Sequence, residues 1–366
     1  MKVLFLTNLP SPYRDSFFSE FGKMCELTVL YERESASDRD NKWKAKNSTN
    51  YKPIYLKGKK IGTDNSLCVE VIKYLKKNEK IIVGMYSTYT AMIAIMYMRL
   101  KKISFYISTD GGFVKDENIF KYSYKRFLIG SASAWFATGN FAKDYLVYYG
   151  AKEDKIHTYP FTSLANKDIL KECLTIEEKR EIRRKLNMSE KRIILYVGQF
   201  IYRKGIDILL QACCNMSCND IGIYLIGGES EEYSLFCENK GLKNVHQISF
   251  LTKEELDKYY LAADIFVLPT REDVWGLVVN EAMAKGLPII VSDWCGAGKE
   301  LVDDRNGVVF KSKDICGLKN AIERIINDEN MMINMSINSL EKIRPYTFYE
   351  MAKKHYQVLN KDNSVN

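Results

Sequence analysis

Short apolar runs alternate with amphipathic stretches along this chain. Lys2–Thr7, Glu26–Tyr31, a run near Ile81, Ile103–Ile107 and Ala134–Ala137 have the pattern of buried strands, and helical spacing runs from about Tyr13 to Met24 and near Ala91. The same order returns later, where Arg192–Val197 opens a second series that includes Ile223–Ile226, Ile265–Leu268 and a helical pattern over Leu277–Lys285. Such alternation predicts parallel sheets covered by helices. Between the two series the spacing predicts a charged helix over Ile176–Leu186 capped by Thr175, and a hinge around Thr162–Asp168. A last helix is predicted from about Phe348 to Leu359, and the polar stretch Glu32–Tyr51 reads as a loop. Ile81–Met98 is apolar, but Ser87-Thr88-Tyr89-Thr90 interrupts it, so a strand, a loop and a helix are expected there and no membrane span.

Candidate chemistry is densest where the Ile265–Leu268 strand gives way to the next helix. Gly276 lets the amides of Leu277 and Val278 approach a ligand, and a helix start with unpaired N–H groups favours an anion such as a diphosphate. Asp273 in the loop and Glu281 in the helix can face the same ligand, the second accepting bonds from sugar hydroxyls. The turn after Arg192–Val197 contains Gly198, Gln199, Arg203 and Lys204, and its cations sit at a strand's carboxyl end, either on a ligand or simply solvated.

This constellation resembles glycosyltransferase family 4, the retaining nucleotide-sugar transferases with the GT-B fold. It spans Asp273 to Glu281 with Trp275-Gly276 between them and continues through Ile289–Ser292, Gly296, Gly298, Glu300–Val302 and Asn306-Gly307. Asp273 stands where that family usually has its first Glu, and Gln199 where an Arg is common, with Arg203 near enough to supply the charge. The resemblance implies an α/β architecture of two facing Rossmann-like domains. The acceptor domain would be residues 1–165 and the donor domain 166–347, with a helix and tail at 348–366 returning to the first.

The resemblance also implies roles. Lys204 and Arg203 would hold the diphosphate, Asp273 the donor sugar or diphosphate edge, and Glu281 the ribose. Gly198, Gln199, Gly227, Gly228, Glu229, Trp275, Gly276, Leu277 and Val278 would line the rest of the donor site. On the acceptor or phosphate side stand Ser11, Tyr13 and Arg14 after the first strand, with Pro12 suited to a first helical turn, and Gly111 and Gly112. Asp110 occupies the region where relatives often place a His, and reads either as a participant in catalysis or as a turn residue. Closure of the two domains would assemble the site and exclude water. No cofactor and no metal are expected, and the departing phosphate oxygen would receive the acceptor proton. The three histidines, His157, His246 and His355, lie outside the first-domain loops expected to face the cleft. An epimerase of the same fold, or a non-catalytic partner subunit of a transferase, are the alternative readings.

Composition bounds the setting. With 366 residues, 46% of them hydrophobic, the chain can fill two ordinary cores. Residues 1–160 carry 26 Lys and Arg against 16 Asp and Glu, a net of +10 out of +8 for the whole, so the remainder is slightly acidic. A basic first half with interleaved aromatics suits an anionic lipid surface or a lipid-diphosphate acceptor, or is a solvated face. It has no nucleic-acid reader motif. The nine cysteines read as reduced thiols, and Cys213, Cys214 and Cys218 lack zinc-ligand spacing. The start of the chain has no cleavable-signal design, so a cytoplasmic enzyme, peripheral on the inner membrane face, is expected. Asp38-Arg39-Asp40 has no strand before it and is not read as a metal-binding acidic pair. No phosphate loop or Gly-x-Gly-x-x-Gly follows a strand, which argues against nucleotide hydrolysis and nicotinamide chemistry.

Overall fold

The computed structural model describes residues 1–34, 50–61, 65–77, 79–214, 216 and 220–361. Most of the expected loop at 32–51, Asp38-Arg39-Asp40 and Cys218 therefore lie outside the described residues. The chain divides into two compact units, residues 1–162 with 346–366, and residues 163–345.

In the first unit the chain runs β1 (Lys2–Thr7), α1 (Pro12–Gly22), β2 (Glu26–Tyr31), β3 (Lys52–Tyr55) and a short antiparallel pair, β4 (Lys59–Ile61) and β5 (Asn65–Leu67). It continues through β6 (Lys80–Val83), α2 (Tyr89–Leu100), β7 (Phe105–Thr109), α3 (Ile119–Ile129), β8 (Ala134–Ala137), α4 (Asn140–Tyr148) and β9 (Ile156–Thr158). The main sheet has the order β3-β2-β1-β6-β7-β8-β9, parallel at every pairing. β1, β6, β7 and β8 are buried almost throughout, as expected of parallel strands covered on both faces. The strand expected at Ile103–Ile107 begins two residues later: Ile103 instead packs beneath the end of α2, its N–H donating to the Met98 carbonyl.

The second unit holds α5 (Ile176–Lys185), β10 (Arg192–Val197), α6 (Ile206–Cys214), β11 (Ile221–Ile226), α7 (Glu231–Lys240), β12 (Val245–Ile248), α8 (Lys253–Ala262) and β13 (Ile265–Leu268). These are followed by α9 (Leu277–Ala284), β14 (Ile289–Ser292), α10 (Gly296–Leu301), β15 (Gly307–Phe310), α11 (Ile315–Ile326) and α12 (Glu329–Ile343). Its parallel sheet has the order β12-β11-β10-β13-β14-β15, the doubly wound arrangement. Thr175 caps α5 in a reciprocal box with Glu178, each side chain bonding the other residue's backbone N–H. Among the described residues no helix is long and apolar enough to cross a membrane.

The last helix, α13 (Phe348–Lys361), belongs to the first unit and packs along α1. The crossing into it is fastened by the Thr162 hydroxyl, which donates to the Tyr346 carbonyl at 2.9 Å. His355 on its buried face is fully enclosed, stacked on Phe136 at 4.3 Å and flanked by Phe17, Phe21 and Tyr159. Its Nδ1 lies 2.8 Å from the Met351 carbonyl, while Nε2 has no hydrogen-bond partner. A charge there would be buried unpaired, and burial pushes its pKa down to about 4.

The unfolded chain takes up this proton near pH 6.5 and the folded chain only near 4, so the stability His355 contributes above pH 6.5 is lost as pH falls through that window. The shift corresponds to about 3 kcal/mol. The loss of stability between pH 6.5 and 4, measured by denaturant melts, should be clearly smaller for His355→Phe than for the parent. Equal slopes would show that this histidine titrates normally.

Candidate active site

In an open α/β sheet the crevice lies beyond the carboxyl ends of the strands, where the strand order reverses. In the second unit that point falls between β10 and β13, paired in parallel through Ile194 with Ile265 and Leu195 with Phe266. The loops after these two strands therefore emerge together. Gly205, with φ +71°, makes their contact possible: a Cβ there would come within 2.1 Å of the Pro269 carbonyl oxygen. The contact brings Lys204 Nζ to 2.5 Å from Asp273 Oδ2, and each side chain is only 13–14% exposed. Arg203 is exposed and donates to the Glu272 carbonyl at 2.7 Å.

The β13 loop is also fastened to the loop after β14. The Asp273 N–H donates to the Trp294 carbonyl, and the Gly296 and Ala297 N–H groups donate to the carbonyls of Asp273 and Trp275. Gly276, at φ +91°, then turns the chain into α9, and a Cβ would stand 2.8 Å from Cys295 Sγ. The first-turn amides of Leu277 and Val278 have no intrahelical acceptor and form the positive end of that helix. The resemblance implies that Trp275 lines the donor site. Its ring is instead turned inward, 4% exposed, with the indole N–H donating to the buried Asn280 Oδ1 at 2.9 Å, so the side chain anchors the helix start.

Glu281 lies one turn into α9. Its Oε1 accepts from the Ser163 hydroxyl at 2.9 Å and its Oε2 from the Tyr260 hydroxyl at 3.1 Å. Burial raises the pKa of this carboxyl, and the two hydroxyl bonds oppose the rise. Gly198 and Gly227 end β10 and β11, their N–H groups donating to the Ile226 and Ile248 carbonyls. Gly228 is half-buried, and Gln199 and Glu229 are exposed.

The sequence reading missed three partners in this unit: Ser163, Tyr260 and Arg271. Arg271 binds Asp207 through two N–H···O bonds of 2.8 and 2.6 Å and lies over the Tyr202 ring, clamping the β13 loop to the start of α6. Only the Arg-to-Asp charge complement was visible in the sequence, without the fold that joins them.

The first unit has its own reversal, between β1 and β6. Ser11 is buried at the start of α1, and Tyr13 and Arg14 lie in its first turn. The Arg14 guanidinium donates to Thr7 Oγ1 and, at 3.1 Å, to Asn8 Oδ1, and reaches within 3.9 Å of Asp110 Oδ2 after β7. Burial raises the Asp110 carboxyl while Arg14 pulls it down. Tyr13, Arg14 and Asp110 line a small pocket with Ser108, Tyr159 and Phe161. Gly111 and Gly112 pack against Ala142 and Tyr145 of α4. Further along the same sheet edge Glu32 is buried, accepting from Thr88 Oγ1 at 2.5 Å, and its pKa is raised to about 7 by burial. The sequence reading gave it no role.

With this geometry, similarity to known proteins is specific. Residues 178–342 match the model of the family described as glycosyl transferases group 1. A Campylobacter jejuni N,N'-diacetylbacillosaminyl-diphospho-undecaprenol alpha-1,3-N-acetylgalactosaminyltransferase is 24% identical over 260 residues, 69% of this chain and 68% of its own. An uncharacterized glycosyltransferase of Methanocaldococcus jannaschii is 28% identical over 194 residues, 50% of this chain and 49% of its own, so the chain spans about half of that relative. Among solved structures, Anabaena HepE in complex with UDP superposes with a TM-score of 0.78 at 14% identity, covering 100% of both chains. The fold is GT-B, and the match to the group 1 glycosyl transferases lies within the second unit.

Breaking a largely buried ion pair from one side leaves an unpaired charge. Lys204→Met should therefore lower stability by about 3 kcal/mol, and adding Asp273→Leu to that variant should restore a good part of it. Urea melts of the single and double variants measure this, and a double variant no more stable than Lys204→Met would show that the pair is not coupled.

Proposed function

We propose that this chain is a retaining glycosyltransferase that moves a hexose-type sugar from a nucleotide diphosphate sugar to a saccharide or lipid-linked acceptor in bacterial surface polysaccharide assembly, without a metal. The observation that carries the reading is the Lys204–Asp273 pair at the strand reversal, set beside the open start of α9 with Glu281 one turn in. A departing diphosphate gains negative charge. Lys204, Arg203 and the amides of Leu277 and Val278 are the groups that stabilise it, most effectively where water is excluded. Asp273 holds the Lys204 ammonium in place and accepts from a sugar hydroxyl, and Glu281, oriented by Ser163 and Tyr260, takes the ribose hydroxyls.

The acceptor oxygen attacks the anomeric carbon from the face the diphosphate leaves. The bond from that carbon to the phosphate oxygen breaks, and the acceptor proton passes to the same phosphate oxygen. No strong protein base is needed, and Arg14, Tyr13 and Asp110 of the first unit orient the acceptor. Support comes from the undecaprenol-linked substrate in the Campylobacter relative's name and from the UDP complex of the Anabaena protein.

The test is a panel of nucleotide sugars, with and without chelator, read by nucleoside diphosphate release and by the shift in melting temperature on ligand addition. One donor should stabilise the protein regardless of chelator and be slowly hydrolysed. Lys204→Ala should lose at least tenfold in donor affinity, the size of a charged hydrogen bond. Interconversion of two sugars on the same nucleotide would instead mark an epimerase, and a protein that no donor stabilises would be a partner subunit.

A further inference from the structure

Two helices of the first unit turn large apolar side chains to solvent. On α3, Phe120, Tyr124 and Phe127 recur at the spacing of one helical face, and Phe120 is 80% exposed. On α2, Met96 and Leu100 repeat at i and i+4, with Leu100 79% exposed. The two stripes meet: the Tyr124 hydroxyl contacts Met92 Sδ, and the Arg99 guanidinium lies over the Phe127 ring at 4.5 Å. They form one continuous surface and not scattered exposed residues, which need no explanation.

Cations border this surface. Arg99 and Arg126 flank an open groove that Ser123 and Phe127 also line, while Lys101, Lys102 and Lys121 are exposed around it. Of the nearby acids, Glu117 is already held by Lys121 at 3.3 Å and by Lys125. Two copies of such a face would oppose cation to cation. An anionic bilayer complements it in both respects, with phosphates for the arginines and hydrocarbon for the aromatic and aliphatic tips.

We infer that the outer face of α2 and α3 docks on an anionic lipid surface, with Phe120 and Leu100 entering the acyl boundary and Arg99 and Arg126 receiving lipid phosphates. The inference does not rest on the transferase reading, since docking requires no donor.

The experiment is flotation of the full chain, without nucleotide, on vesicles of phosphatidylcholine alone or mixed with phosphatidylglycerol. Binding should appear only on the mixed vesicles and weaken as salt is raised. Arg99→Gln with Arg126→Gln should weaken it about 25-fold, at about fivefold per cation. Phe120→Ser with Leu100→Ser should weaken it by at least tenfold. Melting temperatures of both variants should match the parent, because the changed positions are exposed. Equal binding to neutral vesicles, or no binding to mixed ones, would overturn the inference. So would a dimer in light scattering that Phe120→Ser disperses, since the face would then be covered by a second copy.

Discussion

Asp273 meets Lys204 because β13 pairs directly with β10. That single adjacency sets the direction of every loop in the candidate donor site. A parallel sheet sends all its carboxyl ends the same way, and connections that leave to opposite faces at the reversal open a crevice beyond the strand ends. The glycines follow from this geometry. Gly205 allows one loop to lie on the other, and Gly276 lets the chain enter α9 beside Cys295 without a collision.

The electrostatics follow from the same crowding. Anionic and cationic groups gather at the crevice because strand ends and a helix start converge there, and each is held by a neighbour from another element. Lys204 rests on Asp273, Glu281 on Ser163 and Tyr260, and Arg271 on Asp207. In the first unit Arg14 plays the corresponding part, held by Thr7 and Asn8 at the end of β1 and turned toward Asp110. Groups fixed in this way lose little freedom when a ligand arrives, which suits them to stabilising charge that develops during a reaction.

Legibility in the sequence followed the range of the interaction. The strand and helix pattern, the Thr175 cap of α5 and the turn at Gly276 depend on residues a few positions apart, and periodicity and glycine placement expressed them directly. The spacing of Asp273 and Glu281, one in a loop and the other a turn inside a helix, was equally visible. The resemblance puts Trp275 at the donor site, and only packing shows that its ring turns inward onto Asn280. Ser163, Tyr260 and Arg271 carried no local sign of their partners.

The sequence by itself determined the alternation of elements, the two-part division of charge and the residue types available at each strand end, since these are properties of neighbouring positions. Tertiary structure alone decided which strand ends stand side by side, and therefore that Lys204 faces Asp273 and that Ser163 reaches Glu281. It also decided that the apolar stripes of α2 and α3 lie outward and join. Strand order in a sheet arises from packing whole units against one another, and pairings as distant along the chain as Lys204 with Asp273 or Ser163 with Glu281 leave no periodicity to read.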